Sequence, residues 1–354
     1  MSIKIDIDPN IYNLVSQTSL PENLGFGQHF SPVMASAHYR NGCWQDLCLK
    51  PYAPLVLDPA TMVLHYGQSI FEGLKAYRNK DSLHLYRPMD HAKRFQVSAR
   101  RMALPELPIE IFMEAITEFT RASAPLVPQR EAFTLYIRPF IFADQVGLGV
   151  KAAESYLFLV IGAPSGEYFS DQAVRVMIER KFYRSAASGG TGAVKTSGNY
   201  ACSLLSDHKA KAAGFHQSLW LDSKFSKYIE EMTGMNFFIV REGALLTPSL
   251  NNSILAGITR DTLFYLSKKL GIETVEELLS IDEVIAGITS GQVEECFICG
   301  TAAGLTPVAL LGEESGQTYE LHSVNGPVTT KLRQALSDAQ RGKAATPEGW
   351  IVKV

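Results

Sequence analysis

A single lysine, Lys195, lies near the end of the glycine-rich stretch 189–198. The residues beside it are small or apolar, and a helical pattern with Leu204, Leu205 and His208 follows. Clustered glycines indicate a backbone that approaches a ligand closely or adopts positive φ. A lysine held in a dry site loses its proton more easily and attacks carbonyl carbons. The stretch therefore predicts Schiff-base chemistry at Lys195 or, on the simpler interpretation, a solvated surface loop.

Two common glycine-rich motifs do not fit this stretch. A P-loop places glycine directly before its lysine, whereas Val194 precedes Lys195 here. The Gly-x-Gly-x-x-Gly fingerprint of dinucleotide-binding folds is also missing at this position.

A Schiff-base lysine points to pyridoxal phosphate, which makes three further demands on a protein. Its ring nitrogen needs a carboxylate, its phosphate needs donors, and its phenolic oxygen needs a hydrogen-bond donor. Glu230 and Glu231 both offer a carboxylate, and 257–259 opens a predicted helix whose amides suit a phosphate. Thr301 could add a hydroxyl, and Tyr200 could reach the phenolic oxygen. Taken singly, each of these also fits an ordinary structural role.

The elements that must position these residues follow from hydrophobic periodicity. Strand-like runs are 33–39, 55–57, 83–86, 133–142, 156–161, 174–178 and 219–222. Helices are predicted around Arg94, with Asp90 as its cap, after Pro108, from 257 and from 331 to 340. A hairpin turns at 242–243, and Ser280 with Glu283 resembles a capping box.

A cluster of Pro, Gly and Ser residues at 163–171 predicts a connector between two domains. The expected organisation is a smaller N-terminal α/β domain at 1–162, the connector, and a larger C-terminal cofactor-binding domain at 172–354. The fold class is α/β, with the first half α+β in character.

Composition excludes several classes of protein. A net charge of -3 over 354 residues leaves no electrostatic footprint for nucleic acid. The most apolar run, 156–161, is too short to span a bilayer. Five cysteines, an odd and small number, favour free thiols and a cytoplasmic location. Cys296 and Cys299 have CxxC spacing but lie in a strand-like run, where they would point to opposite faces as core residues. No metal site is expected.

Seven segments together carry a family resemblance: 65–73, 136–139, 147–150, 195–200, 231–236, 257–260 and 300–303. In order, spacing and residue types the chain resembles the branched-chain amino-acid aminotransferases, which are class IV, fold-type IV pyridoxal-phosphate enzymes. The resemblance implies two domains with the active site between them and a homodimer. It also implies reversible transamination of leucine, isoleucine and valine with 2-oxoglutarate, giving branched-chain 2-oxo acids and L-glutamate.

The resemblance further implies a role for each cofactor-binding residue. Lys195 would carry the Schiff base and act as general base, and Glu231 rather than Glu230 would pair with the ring nitrogen. Tyr200 would hydrogen-bond the phenolic oxygen. The phosphate would be held by Arg94, Ile258, Thr259 and Thr301.

The implied substrate site combines a carboxylate cradle with an apolar pocket. The α-carboxylate would lie against Tyr136 and the backbone of Thr301 and Ala302. Arg138 would receive the second carboxylate of glutamate. The pocket walls would be Tyr66, Phe71, Tyr168 and, from the neighbouring subunit, Leu148 and Val150.

The chain departs from the family pattern at two places. The loop that begins at Arg184 is one residue longer than expected, so no contact is assigned to Arg184. Ala303 and Thr306 replace a cysteine pair found in some animal members.

Three rival functions remain. D-amino-acid aminotransferases and aminodeoxychorismate lyases share the fold, and a non-catalytic binding protein could retain it. Tyr136, Arg138 and the chain length favour the branched-chain activity.

Overall fold

A computed structural model of the chain describes residues 4–80, 82–131, 133–169, 173–184 and 188–354. Residues 170–172, in the expected connector and at the expected start of the second domain, lie outside the described residues. So do residues 185–187 of the lengthened loop before Lys195.

The strands are β1 (Asp6–Ile7), β2 (Val33–Arg40), β3 (Cys43–Pro51), β4 (Ser69–Phe71), β5 (Leu74–Asn79), β6 (Ser82–Tyr86), β7 (Thr134–Ala143), β8 (Tyr156–Ser165), β9 (Val174–Glu179), β10 (Gln217–Leu221), β11 (Ile229–Met232), β12 (Asn236–Arg241), β13 (Ala244–Pro248), β14 (Thr274–Glu277), β15 (Val293–Gly300), β16 (Gly304–Gly312), β17 (Thr318–Glu320) and β18 (Ile351–Lys353). The helices are α1 (Ile11–Ser16), α2 (Val63–Tyr66), α3 (Pro88–Arg101), α4 (Ile109–Ala122), α5 (Ser197–Ala201), α6 (Leu204–Ala212), α7 (Ile258–Lys269), α8 (Ile281–Ser290) and α9 (Pro327–Gln340), with a 3-10 turn at Ala124–Leu126.

The first of two compact units contains Met1–Tyr168, Val194–Ser197 and Gln340–Val354. Its sheet has the strand order β1-β3-β2-β8-β7-β5-β6-β18, with β4 also pairing with β7. Helices α3 and α4 pack on this sheet through buried aromatic rings: Phe95 lies 5.4 Å from Phe112 and 6.1 Å from Phe158, measured between ring centroids. This packing fixes α3, the helix that carries Arg94.

The second unit contains Phe169–Ala193 and Gly198–Ala339. Its mixed sheet has the order β11-β10-β9-β16-β15-β12-β13-β14, with β17 pairing with β16. Each face of the sheet has its own hydrophobic core, one including α8 and the other α7 and α9. Cys296 belongs to the first core and Cys299 to the second. The prediction that these cysteines are core residues on opposite faces is confirmed.

The expected connector begins later than 163, because β8 continues to Ser165. Its residues pair with β7 as far as Ser165 opposite Thr134, with Pro164 opposite Leu135. The ladder between β8 and β2 ends at Val160. Pro164 therefore lies where β8 has only one neighbouring strand, a place where the missing N–H of proline is tolerated.

The expected second domain, 172–354, differs from the structure at two places. Strand β18 pairs with β6, and Arg87 N donates to Trp350 O at 2.6 Å, so the C-terminal segment belongs to the first unit. The segment 194–197 also belongs there, through a bridge between Ile70 and Thr196. Chain order alone does not reveal these pairings, because both bring together residues far apart in sequence.

The local signals for turns and caps have mixed outcomes. The hairpin at Glu242 and Gly243 is confirmed, with φ of 53° and 72° as its turn requires. Asp90 is not the cap of α3: Arg87 is, Pro88 supplies the first turn, and Asp90 accepts from Arg87 Nε at 2.6 Å. Ser280 does precede α8, but its side chain makes no capping hydrogen bond.

Helix α9 begins at Pro327, four residues before the predicted start. Among the described residues, no helix is both long and apolar enough to cross a membrane.

Candidate active site

The backbone at Lys195 is fixed by hydrogen bonds within the first unit. Phe71 N donates to Lys195 O at 3.0 Å, and Lys195 N donates to Ser98 Oγ at 3.0 Å. Thr196 Oγ1 donates to Ser69 O at 2.8 Å. The half-buried side chain places Nζ 4.7 Å from the centroid of the Phe71 ring. Lys195 is therefore held at a defined position rather than on a solvated surface loop.

A buried carboxylate, Glu72, organises Arg94 in the same unit. Arg94 Nε donates to Glu72 Oε1 at 2.7 Å and Arg94 Nη2 to Glu72 Oε2 at 2.9 Å, while His91 Nδ1 lies 2.7 Å from Oε2. Burial alone would raise the pKa of Glu72, but the charges and hydrogen bonds of Arg94 and His91 hold it well below its usual range. Glu72 is thus an anion that fixes one edge of the Arg94 guanidinium.

The predicted substrate residues Phe71, Tyr136 and Arg138 form one cluster. Arg138 Nη2 donates to Tyr136 OH at 2.9 Å, and Arg138 Cζ lies 4.7 Å from the centroid of the Phe71 ring. Tyr136 also packs edge-on against Phe26 at 4.9 Å, and Phe26 packs against Tyr168 at 4.8 Å. The first unit therefore brings an apolar wall, a phenol and a cation together.

Glycine is required beside Tyr136. A Cβ at Gly73 would lie 1.9 Å from Tyr136 OH, so no larger residue fits there without moving the phenol. The segments that carry the family resemblance include this glycine, but only the structure explains it.

Tyr66, Leu148 and Val150 are all exposed in the first unit. The hydroxyl of Tyr66 donates to Leu148 O, and His65 Nε2 lies 3.1 Å from Gly147 O. The side chains of Leu148 and Val150 are 75% and 86% exposed. Two large apolar side chains in this position face outward from the first unit.

In the second unit, Glu231 is buried in a set of donors. Arg184 Nη1 donates to Glu231 Oε1 at 2.7 Å, and Leu255 N donates to the same oxygen at 2.9 Å. Asn236 Nδ2 donates to Glu231 Oε2 at 3.3 Å. Arg184 Cζ also lies 6.0 Å from the centroid of the Tyr200 ring. Arg184 and Glu231, each with a side chain 2% exposed, form a buried ion pair.

The start of α7 and the turn at 301–303 lie in the same unit. Gly257 precedes α7 in an extended conformation and provides no side-chain cap for its first amides. A Cβ at Gly257 would lie 2.0 Å from Asn236 Oδ1, so only glycine fits. Ile258 and Thr259 are buried, whereas Thr301 and Ala302 are half-buried in the turn between β15 and β16.

The sequence did not single out Phe26, Glu72, His91, Ser98 or Asn236 as functional residues. Glu72 and Asn236 lie inside segments that carry the family resemblance, which is a signal that could have identified them. Phe26 lies in the loop between α1 and β2, and His91 and Ser98 lie in α3. Their proximity to the site follows only from the tertiary structure.

The chemistry of these donors fits pyridoxal phosphate. A lysine on a fixed backbone can form a Schiff base with the aldehyde of this cofactor. A buried carboxylate paired with arginine can interact with the nitrogen of its ring. A helix start that lacks a side-chain cap suits a phosphate. Within the part of the chain that the structure describes, no group of three or more His, Cys, Asp or Glu side chains could hold a metal ion.

Comparison with known proteins places this geometry in context. The model of the family "amino-transferase class IV" matches residues 69–311. A probable branched-chain-amino-acid aminotransferase of Streptomyces coelicolor is 43% identical over 354 residues, which cover 98% of each chain. The Escherichia coli branched-chain amino acid aminotransferase superposes with a TM-score of 0.75 at 30% identity, covering 90% of this chain and 98% of that one. The branched-chain aminotransferase of the archaeon Thermoproteus uzoniensis, solved with norvaline, also gives a TM-score of 0.75, at 27% identity and with coverage of 90% and 99%.

Proposed function

Because the chain belongs to the class IV aminotransferases, and among them to the branched-chain-amino-acid aminotransferases, we propose that it transfers amino groups reversibly between branched-chain L-amino acids and 2-oxoglutarate. Leucine, isoleucine and valine are the donors, and branched-chain 2-oxo acids and L-glutamate are the products. The observation that carries the proposal is Lys195, whose backbone is fixed by Phe71 and Ser98 with Nζ beside the Phe71 ring.

Pyridoxal 5'-phosphate is the proposed cofactor, and it would be held by side chains and amides already described. Lys195 would hold it covalently through Nζ, Glu231 would face its ring nitrogen, and Tyr200 its phenolic oxygen. The phosphate would be held by Arg94, Ile258, Thr259 and Thr301. When bound, this cofactor supplies an electron sink that stabilises negative charge at the substrate α-carbon.

Side chains of the protein would move the proton and position the groups that hold the cofactor. Lys195 Nζ would take the proton from the α-carbon of the amino donor and, in the half-reaction that consumes the 2-oxo acid, deliver a proton to the α-carbon of that acid. The buried Arg184 would keep Glu231 anionic and correctly oriented. Glu72 would keep the Arg94 guanidinium facing the phosphate.

Recognition of two unlike substrates would be divided between two kinds of surface. Phe71, Tyr66 and Tyr168 would contact the branched apolar side chains, with Leu148 and Val150 from a neighbouring subunit. Tyr136 and the backbone of Thr301 and Ala302 would hold the α-carboxylate. Arg138 would pair with the second carboxylate of glutamate, because burying that charge without a partner costs several kcal/mol.

The exposure of Leu148 and Val150 supports the further proposal of a homodimer. Large apolar side chains that are 75% and 86% exposed in one chain gain free energy when a second copy covers them. Sedimentation equilibrium of the purified protein measures the assembly directly. We also propose a cytoplasmic location, because the five cysteines are free thiols, two of them buried.

Borohydride reduction followed by peptide mass spectrometry tests the cofactor assignment. The phosphopyridoxyl group should appear on Lys195 and not on Lys75, another lysine of the same unit that serves as an internal control. Lys195→Ala should lose the label together with nearly all turnover, and label on a different lysine would refute the assignment.

A donor panel with 2-oxoglutarate tests the substrate class. Leucine, isoleucine and valine should react and their D-isomers should not. Preference for D-amino acids would instead favour a D-amino-acid aminotransferase, and the absence of all transfer would favour a lyase or a binding protein.

A further inference from the structure

Two adjacent glutamates of β11 both reach the segment 251–257, which leads into α7. Glu231 Oε1 accepts the Leu255 amide at 2.9 Å, and the side chain of Glu230 contacts Ser253 Oγ. Asn236, in β12, the next strand along the chain, donates through Nδ2 to Leu255 O at 3.0 Å. Side chains of two strands therefore hold the segment that sets the position of the first amides of α7.

The contacts of Ser253 locate a proton. Its hydroxyl faces two acceptors, Glu230 Oε1 and Asn251 Oδ1, the second at 2.6 Å. Ser253 N also donates to Asn251 Oδ1 at 3.1 Å, which identifies that atom as the oxygen of the amide. A hydroxyl has one hydrogen to donate. Both contacts are hydrogen bonds only if Glu230 is protonated and donates to Ser253, which in turn donates to Asn251.

The surroundings of Glu230 favour this neutral form. The residue is 5% exposed. Burial raises the pKa of Glu230 to about 7, and the negative charges of Glu231 and Asp222 also raise it. A hydroxyl hydrogen from Ser253 to the ionised carboxylate and the charge of Arg184 act in the opposite direction. Glu230 therefore changes charge near neutral pH, whereas its neighbour Glu231 is paired with Arg184.

We propose that Glu230 is a positioning residue for the cofactor: as a neutral carboxylic acid it donates to Ser253 and fixes 251–257, so that the first amides of α7 are held ready for the phosphate. This inference rests on the proposed function, in which Ile258 and Thr259 hold that phosphate. Loss of the Glu230 proton leaves two acceptors facing one hydroxyl. Cofactor affinity should then fall as the pH rises through about 7.

The test compares the wild type with Glu230→Gln, whose amide N–H donates to Ser253 at every pH. Equilibrium dialysis of pyridoxal phosphate at pH 6.0 and pH 8.5 gives the dissociation constant for each protein. The ratio of the two proteins at one pH removes the separate pH dependence of the bond to Lys195. We expect equal affinity at pH 6.0 and about threefold to tenfold tighter binding by Glu230→Gln at pH 8.5, the range that one hydrogen bond provides.

A ratio that is the same at both pH values would overturn the proposal. Ser253→Ala is the matched control, because without the hydroxyl Glu and Gln at position 230 should bind the cofactor equally at pH 8.5. A persisting difference would mean that Glu230 acts through its charge and not through Ser253.

Hydrogen exchange of the cofactor-free proteins gives a readout that does not depend on cofactor or activity. After correction for the intrinsic effect of pH, amides 253–259 of the wild type should exchange faster than those of Glu230→Gln at pH 8.5 and equally at pH 6.0. Equal exchange at both pH values would overturn the assigned proton. If the wild type bound no pyridoxal phosphate at all, the proposed function would fail, while the exchange difference would still support the hydrogen-bond chain.

Discussion

The buried pair of Arg184 and Glu231 gives a prediction whose size follows from the structure. Arg184→Met removes the charged partner of the Glu231 carboxylate and keeps the hydrogen bonds from Leu255 N and Asn236 Nδ2. Removing one partner of a buried ion pair costs about 3–5 kcal/mol, because the other charge stays buried without compensation. For 354 residues the entropy of unfolding is about 0.74 kcal/mol per kelvin, so the melting temperature should fall by roughly 4–7 °C.

The measurement is thermal unfolding of the cofactor-free protein at pH 7, followed by circular dichroism. Arg180→Met is the matched control, since Arg180 forms an ion pair with Glu313 in the same unit but its side chain is 39% exposed. An exposed pair of this kind contributes at most about 1 kcal/mol, which corresponds to a shift of roughly 1 °C.

A double-mutant cycle separates the ion pair from a general loss of packing. Glu231→Gln alone leaves the Arg184 charge without its partner and should also destabilise the protein. The double variant contains neither charge and should be more stable than Arg184→Met, although it lacks more native groups. Additive losses, or a shift for Arg184→Met no larger than that for Arg180→Met, would refute the reasoning.

Two further predictions concern the first unit. Arg138→Met should slow the half-reaction with glutamate about tenfold to a hundredfold more than the half-reaction with leucine, because a charged hydrogen bond is worth roughly 1.5–3 kcal/mol. Single-turnover absorbance, recorded with each amino acid separately, measures the two rates. Equal losses would mean that Arg138 supports the α-carboxylate or the fold. Glu72→Gln replaces the anion that holds Arg94 and should weaken pyridoxal phosphate binding about tenfold in equilibrium dialysis, whereas unchanged affinity would mean that Glu72 does not position Arg94 for the phosphate.

The sequence predicted best what depends on neighbouring residues. The hairpin at 242–243, the helix after Pro108 and the buried, oppositely facing cysteines Cys296 and Cys299 all follow from local turn chemistry or periodicity, and each is confirmed. The predicted start of the connector was too early, because pairing with β7 extends β8 to Ser165. The predicted capping box was wrong, because the Ser280 hydroxyl makes no capping hydrogen bond.

What the sequence could not predict depends on long-range pairing. The assignment of 194–197 and of the C-terminal segment to the first unit follows from the bridge of Ile70 to Thr196 and the pairing of β18 with β6. The site itself shows the same division. Residue types identified Lys195 as a candidate nucleophile, but the bond of its amide to Ser98 spans 97 positions of the chain. No local pattern contains that information.

The same limit explains why sequence alone treated Glu230 and Glu231 as alternatives for one role. Neighbours on a strand point to opposite faces, so two identical side chains meet different surroundings. Glu231 faces Arg184, whose positive charge favours a carboxylate, whereas Glu230 meets the hydroxyl of Ser253, which already has an acceptor in Asn251. One strand therefore presents an anion on one side and a proton donor on the other. In the proposed function, Glu231 would act on the ring nitrogen through its charge, whereas Glu230 would act on the phosphate only through the placement of the backbone amides of α7.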